Sequence, residues 1–196
     1  MNFLIFLGSV RDSTPPKPAR LGERVALACE RYAKGKAPEP LERLANKIAQ
    51  ADGYVMVSPE YNHAMSPALM DLLNHFGSSL FSFKPSSIVT YSAGQWGGMR
   101  AAINMRTFLA ELGCLAVSAM IHIPKAQEVF DEQGHFLPTV NTEDWQSYLA
   151  RSFLQLQWWA MATQSQRQII NPLEMTPPFL TTPTQRNAPN SDTSDG

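Results

Sequence analysis

The feature that most constrains this chain is a short apolar run that ends in a polar, aromatic loop and re-enters a helix almost at once. Gly53-Tyr54-Val55-Met56-Val57 reads as a buried strand and Ser58-Pro59-Glu60-Tyr61-Asn62-His63 as the loop. Ser66-Pro67-Ala68-Leu69-Met70 reads as a helix start, with Ser66 as N-cap and Pro67 at the first helical position. In open α/β sheets the carboxyl end of a strand, followed by a loop and a helix, is where ligands bind. Pro59 stiffens the loop, Tyr61 offers a flat face with a polar tip, and Asn62 offers donors and an acceptor to a heteroaromatic edge. A generic strand-to-helix connection could carry the same residues, so this stretch alone leaves both readings open.

The same unit recurs on either side. Phe3 to Leu7 is apolar throughout, as expected of a parallel strand covered on both faces. The hydroxyl-rich segment Gly8 to Thr14 follows, then a proline-rich bend and a predicted helix from about Arg20 to Tyr32. Its apolar positions Leu21, Val25, Ala28, Cys29 and Tyr32 recur at helical spacing. A strand, a hydroxyl-rich loop and a helix start can make a phosphate site, with Ser9 donating a hydroxyl and Arg11 a charged fork. A solvated turn with a surface arginine is the alternative, since the loop has neither a Walker lysine pattern nor GxGxxG. A third strand, Ser87 to Tyr91, runs into Ser92-Ala93-Gly94-Gln95-Trp96-Gly97-Gly98, where closely spaced glycines let backbone approach a ligand.

Helices are predicted at Leu41 to Ala51, Ala68 to Phe76 and Met99 to Leu112, the last closed by Gly113. Leu115 to Ser118 is the expected last strand, and Phe130 to Phe136 a small hairpin or turn. A closing helix from Glu143 to about Ile170 would bury Trp145, Leu149, Phe153, Leu156, Trp159 and Ala160. The three polar loops, Ser9 to Ser13, Pro59 to His63 and Ser92 to Gly98, would then converge on one carboxyl edge of a doubly wound sheet.

Composition narrows the function classes. At 196 residues the chain is expected to hold one domain, residues 1–170, followed by a disordered tail, residues 171–196, rich in proline, threonine, asparagine and aspartate. A net charge of −1 makes no electrostatic case for nucleic acid or an anionic membrane. Cys29 and Cys114 lack metal spacing, and His63, His75, His122 and His135 fall on different elements, so no metal is expected. The opening apolar run is too short to span a membrane and has no basic leader, which predicts a cytoplasmic protein. Ser58 and Ser92 lie outside any G-x-S-x-G elbow, so a serine hydrolase has no motif support.

The chain resembles the NADPH-dependent FMN reductase family of flavodoxin-like proteins, which includes quinone, azo-dye and chromate reductases. The resemblance rests on Gly8-Ser9-Val10-Arg11, Ser58-Pro59-Glu60-Tyr61-Asn62, Ser92-Ala93-Gly94-Gln95-Trp96-Gly97-Gly98, and Ile123-Pro124 followed by Phe130-Asp131-Glu132. It implies a flavodoxin-like three-layer sandwich around a parallel sheet, with FMN held noncovalently and NADPH as hydride donor. It implies that Ser9 and Arg11 hold the FMN phosphate, and that Pro59, Glu60, Tyr61 and Asn62 line the flavin ring and ribityl chain. Ser92, Gly94, Gln95, Gly97 and Gly98 would cover the pyrimidine side. The extra Pro15-Pro16-Lys17-Pro18-Ala19 lengthens the phosphate loop and leaves open which later residue completes that site, Arg20 being the candidate. The implied partners are a small-molecule electron acceptor and further copies of the chain, as a homodimer or homotetramer, with no nucleic acid and no membrane. No side-chain general acid is required, so no catalytic residue is assigned.

In one respect the chain departs from the family pattern. Flavodoxin-like sheets run in the order 2-1-3-4-5, with an edge strand between the first two helices. Here Tyr32 leads through Ala33 to Pro38 into the next helix, so that strand is expected to be missing and the sheet to be four-stranded, in the order 1-3-4-5. Phe3 to Leu7 would become an edge, leaving the protein destabilised and prone to association. Three function classes stay open: an FMN-dependent NAD(P)H oxidoreductase, an FMN-binding redox carrier or sensor without NADPH turnover, and a deletion variant acting only as an interaction module.

Overall fold

The computed structural model of the chain describes residues 1–7 and 39–175, the side chain of Leu173 excepted. The predicted helix from Arg20 to Tyr32, the loop carrying Ser9 and Arg11, and most of the expected tail lie outside the described residues. So does Ala33 to Pro38, where the edge strand is expected to be missing; Glu39 and Pro40 open a helix rather than pair in the sheet.

The sheet is built from β1 (Phe3–Leu7), β2 (Gly53–Tyr61) and β4 (Pro85–Tyr91), joined in parallel in that order. Two short strands, β5 (Leu115–Ala116) and β6 (Ile121–Ile123), both pair in parallel with the far side of β4. Among the described residues the order of the main strands is the expected one and β1 is paired on one side only, but the sheet has six strands rather than the expected four. The expected last strand, Leu115 to Ser118, is in fact two pieces. Between them the chain bows outward, and the Arg106 guanidinium donates to the carbonyls of Ala116 (3.3 Å), Val117 (2.7 Å) and Ser118 (3.2 Å). A cation from the neighbouring helix thus satisfies carbonyls that the sheet leaves unpaired.

Alternation along the strands divides the core in two. Phe6, Tyr54, Met56 and Ile88 face a layer made of α1 (Glu39–Gln50), α2 (Pro67–Asn74), the single turn α3 (Ser78–Phe81) and α4 (Met99–Glu111). Val55, Val89, Ile121 and Ile123 face the long helix α5 (Thr142–Ile169), which leads into the short α6 (Pro172–Met175). Helices therefore cover both faces of a parallel sheet. The helix ends follow the expected chemistry: Asn141 accepts from the N–H groups of Glu143 and Asp144 at the start of α5, and Gly113 adopts φ +72° just beyond α4.

The buried stripe of α5 is narrower than its apolar residues suggest. Ser152, Leu156 and Ala160 are buried, whereas Phe153 and Trp159 are 39% and 38% exposed. Small residues set the approach. The Ser152 hydroxyl donates to the Ala119 carbonyl at 2.8 Å and meets the Ser87 hydroxyl at 2.8 Å, so the helix sits close to the sheet and its bulky neighbours are turned to the flanks. On that same face of β1, Phe3 and Ile5 are 43% and 65% exposed.

At the amino end of the sheet a buried polar cluster locks α1 in place. The Lys84 ammonium donates to the carbonyls of Ile48 (2.9 Å) and Ala49 (2.7 Å), capping the helix C-terminus with a cation. The Tyr54 hydroxyl is within hydrogen-bond distance of the carbonyls of Ile48 (2.9 Å) and Leu80 (3.1 Å). Arg167 reaches across from α5 to Asp52 at 3.1 Å.

Candidate functional site

The register places two of the expected loops side by side. Ser58 lies opposite Thr90 and Pro59 opposite Tyr91, so Pro59–Asn62 and Ser92–Gly98 rise from the carboxyl ends of adjacent strands. The chain leaves β1 at Leu7, opposite Val57, on this same edge. Ser9 and Arg11, next along the chain, lie outside the described residues.

The first segment is not an open loop. Strand β2 continues through Tyr61 and folds back into β3 (Ala64–Met65), with Tyr61 paired to Ala64. Asn62 and His63 form the two-residue turn at φ +50° and +65°, the left-handed conformation that such hairpin turns require at both positions. Asn62 is thus a good turn residue in its own right. The buried Ser58 hydroxyl donates to the Pro59 carbonyl and accepts from the Ser66 N–H, both at 2.8 Å, tying the hairpin base to the start of α2.

Glu60 is committed to a neighbouring helix. Its carboxylate accepts from the backbone N–H groups of Arg100 (3.1 Å) and Ala101 (3.3 Å) in the first turn of α4, and from the Arg100 guanidinium (3.2 Å). Burial pushes its pKa up, but the bonds from Ala101 and Arg100 outweigh burial and hold it below the usual range. Both oxygens point at α4, which makes Glu60 the tie between the two site segments. The sequence did carry a signal: Arg100 sits in the first turn of a helix, where the dipole disfavours a cation, and implies an acid beside it. The same guanidinium lies 5.8 Å over the ring of Trp96, which is 57% exposed.

The second segment is stapled from within. The Ser92 hydroxyl donates to the Gly94 carbonyl (2.8 Å) and accepts from the Gly97 N–H (2.9 Å). Lys125 N–H donates to the Gly94 carbonyl (2.9 Å), Ala126 N–H to the Ser92 carbonyl (3.0 Å), and the Gln127 amide to the Ala93 carbonyl (3.2 Å). Lys125 to Gln127 are therefore supporting residues that motif reading missed, apart from the Ile123-Pro124 pair just before them. Among the described residues no acceptor takes the backbone N–H of Gly94, Gln95 or Trp96.

Two of the loop glycines are required by the protein's own packing. Gly97 and Gly98 have φ +61° and +80°, and a Cβ on either would strike the protein itself. On Gly97 it would lie 3.0 Å from the backbone nitrogens of Ile123 and Pro124, and on Gly98 2.7 Å from the Thr90 Cβ. Packing of the loop onto β4 and β6 by itself requires glycine at both positions. At Gly94 a Cβ would meet nothing within 4 Å. Beneath Gly98 the Thr90 hydroxyl is 2.9 Å from His122 Nδ1, and burial holds the imidazole pKa below its usual value.

These features fit a planar heteroaromatic ring with hydrogen-bonding carbonyl and imide edges. The N–H groups of Gly94, Gln95 and Trp96 supply donors, Gly94 leaves room, and Tyr61 and Trp96 supply aromatic faces nearby. Among the described residues no helix is long and apolar enough to cross a membrane.

The sequence profile of the NADPH-dependent FMN reductase family matches residues 10–128. An NAD(P)H-dependent FMN reductase of Pseudomonas aeruginosa is 34% identical over 110 residues, which are 54% of this chain and 59% of that protein. A quinone reductase of Escherichia coli K12 is 36% identical over 84 residues, 41% of this chain and 45% of that protein. The chain thus spans about half the length of these relatives. Among solved structures, FerB, a flavoenzyme NAD(P)H:(acceptor) oxidoreductase from Paracoccus denitrificans, superimposes with a TM-score of 0.60 at 16% identity, covering 81% of this chain and 96% of that one. At that identity the likeness speaks to the fold, a flavodoxin-like parallel sheet between helical layers. With 119 of its 196 residues inside the family profile, from residue 10 to residue 128, the chain belongs to the NADPH-dependent FMN reductase family.

Proposed function

We propose that this chain is an FMN-dependent NAD(P)H oxidoreductase that passes hydride from NADPH, through noncovalently bound FMN, to a small acceptor such as a quinone, an azo compound or free flavin. The observation that carries this reading is the convergence of Pro59–Asn62 and Ser92–Gly98 on one sheet edge, with three successive backbone donors of the glycine loop left without an acceptor among the described residues. Ser9 and Arg11 would take the phosphate, and Pro59, Tyr61 and Asn62 would flank the ring and ribityl chain. Gly94 and Gln95 would meet the pyrimidine edge, while Glu60, Ser92, Gly97 and Gly98 hold the two segments in register.

FMN, when bound, would supply the two-electron chemistry of hydride transfer between the nicotinamide and the acceptor. The residues of this chain bind and orient. The N–H groups of Gly94, Gln95 and Trp96, fixed by the Ser92 and Lys125 staples, are preorganised to stabilise negative charge on a ring edge held against them. No side chain here needs to move a proton for hydride transfer, so none is given a catalytic role. A cytoplasmic location and a homodimeric or homotetrameric assembly belong to the same reading. Assembly is supported by Trp96 in the glycine loop and Met99 and Ile103 on α4, which are exposed apolar residues beside the site.

The test is the flavin content of the purified chain, followed by NADPH oxidation with a quinone. Flavin absorbance and quinone-dependent NADPH turnover are expected. A chain that takes up no FMN on titration overturns the proposal, and FMN retained without NADPH turnover would make it a carrier.

A further inference from the structure

A second concavity lies at the opposite, amino end of the sheet and plays no part in the flavin reading. It encloses about 570 Å³ between the last turns of α5, α6 and the start of β5. That volume falls in the roughly 300–1,000 Å³ range of small-molecule sites. The intervening strand β4, seven residues long, places it about 20 Å from the glycine loop. Phe83, Leu115, Ile170, Pro172 and Met175 make its apolar wall, and Arg167 is the charged residue on it.

Three observations give the cavity a chemistry. Phe83 is a bulky residue at φ +62°, an uncommon conformation, and the residue stays 42% exposed. Its backbone is held on both sides, by its N–H to the Gly113 carbonyl (3.3 Å) and by Arg167 to its own carbonyl (2.9 Å). Among the described residues Arg167 spends one N–H on that carbonyl and one on Asp52, which leaves three of the five guanidinium donors. The acids near it among the described residues are Asp52, paired with Arg167 at 3.1 Å, and Glu174, which lies on α6 between Pro172 and Met175.

We propose that this cavity binds an amphiphilic small molecule carrying one carboxylate, with the carboxylate on Arg167 and a hydrocarbon or aryl body against Phe83, Leu115, Ile170, Pro172 and Met175. An apolar wall alone would take a neutral molecule equally well; the Arg167 guanidinium on that wall selects an anionic head. The flavin site need not be occupied for this binding.

Calorimetric titration of the full 196-residue chain with decanoate and, in parallel, with decanol tests the proposal. Saturable binding of decanoate is expected, tighter than that of decanol. Leu115→Trp, at a half-exposed position on the cavity wall, should abolish both while leaving the melting temperature and flavin content unchanged. Arg167→Gln should weaken decanoate about tenfold or more, as loss of a charge-assisted hydrogen bond does, and leave decanol binding unchanged. Absence of saturable decanoate binding overturns the proposal, as does binding that Leu115→Trp leaves intact. If Arg167→Gln does not fold, the wild-type comparison decides the head group, and equal affinity for decanoate and decanol overturns the carboxylate assignment.

Discussion

Replacing Glu60 should loosen the joint between the two site segments, and the effect can be worked from the bonds it makes. Its carboxylate takes two backbone N–H groups at the start of α4 and the Arg100 guanidinium. A side-chain cap at a helix N-terminus stabilises by about 0.5–2 kcal/mol, and a negative charge there adds about 0.3–1 kcal/mol through the helix dipole. The Arg100 pair is half exposed and adds about 0–1 kcal/mol. Glu60→Ala should therefore cost about 1–4 kcal/mol by these terms. Glu60→Gln, which keeps an acceptor but loses the charge, should cost only about 1 kcal/mol. Urea unfolding at neutral pH measures both. The sign with pH follows from the lowered carboxylate pKa. The stabilisation is fully present above the ordinary glutamate range and is lost as pH falls through the lower value of the folded protein. The gap between wild type and Glu60→Gln should therefore close in acid. A gap that is absent at neutral pH, or that persists unchanged in acid, would refute the capping role.

Four further outcomes are expected. Gly98→Ala should destabilise the protein by about 1–3 kcal/mol through its positive φ and the contact with Thr90. Gly94→Ala should change stability by less than about 0.5 kcal/mol yet weaken FMN if the ring packs against that loop; thermal melts and flavin titrations separate the two. Arg11→Ala should weaken FMN by roughly 1.5–3 kcal/mol without changing riboflavin affinity, and equal losses for both ligands would remove the phosphate assignment. Burial, with Arg167 adding and Asp52 opposing, pushes the Lys84 pKa down from 10.5 to about 8. The unfolded chain then holds a proton that the folded one has lost, so between about pH 8 and 10.5 wild type should gain up to about 3 kcal/mol relative to Lys84→Met. Reading the difference matters because burial pushes the Cys114 thiol up to about 12 and the Tyr54 phenol up too, which opposes the gain in both proteins.

The parts of this protein that follow from local chemistry were legible in the chain alone. The apolar runs at Phe3–Leu7, Gly53–Val57 and Ser87–Tyr91 are strands because only burial between two layers suits them, and they pair in the order their alternation with helices implied. Ser66-Pro67 opens a helix and Gly113 closes one because fixed and positive φ values are properties of single residues. Even the loops that form the candidate site could be placed, since a loop at a strand's carboxyl end is positioned by the strand.

What could not be read is what depends on partners distant in sequence. Glu60 looks like a ligand-facing acid until α4, forty residues on, presents its first N–H groups to it. Gly97 and Gly98 look like clearance for a ligand until Thr90 and Ile123 are seen filling the space beside them. Ile121–Ile123 is a strand only because β4 has an unpaired length opposite, and Phe153 and Trp159 are left on the flanks because Ser152 and Ala160 set the approach of α5. Sequence determined which residues must be buried, turned or capped; tertiary structure alone decided which group does each job, because hydrogen bonds and steric contacts select partners by position in space and not along the chain.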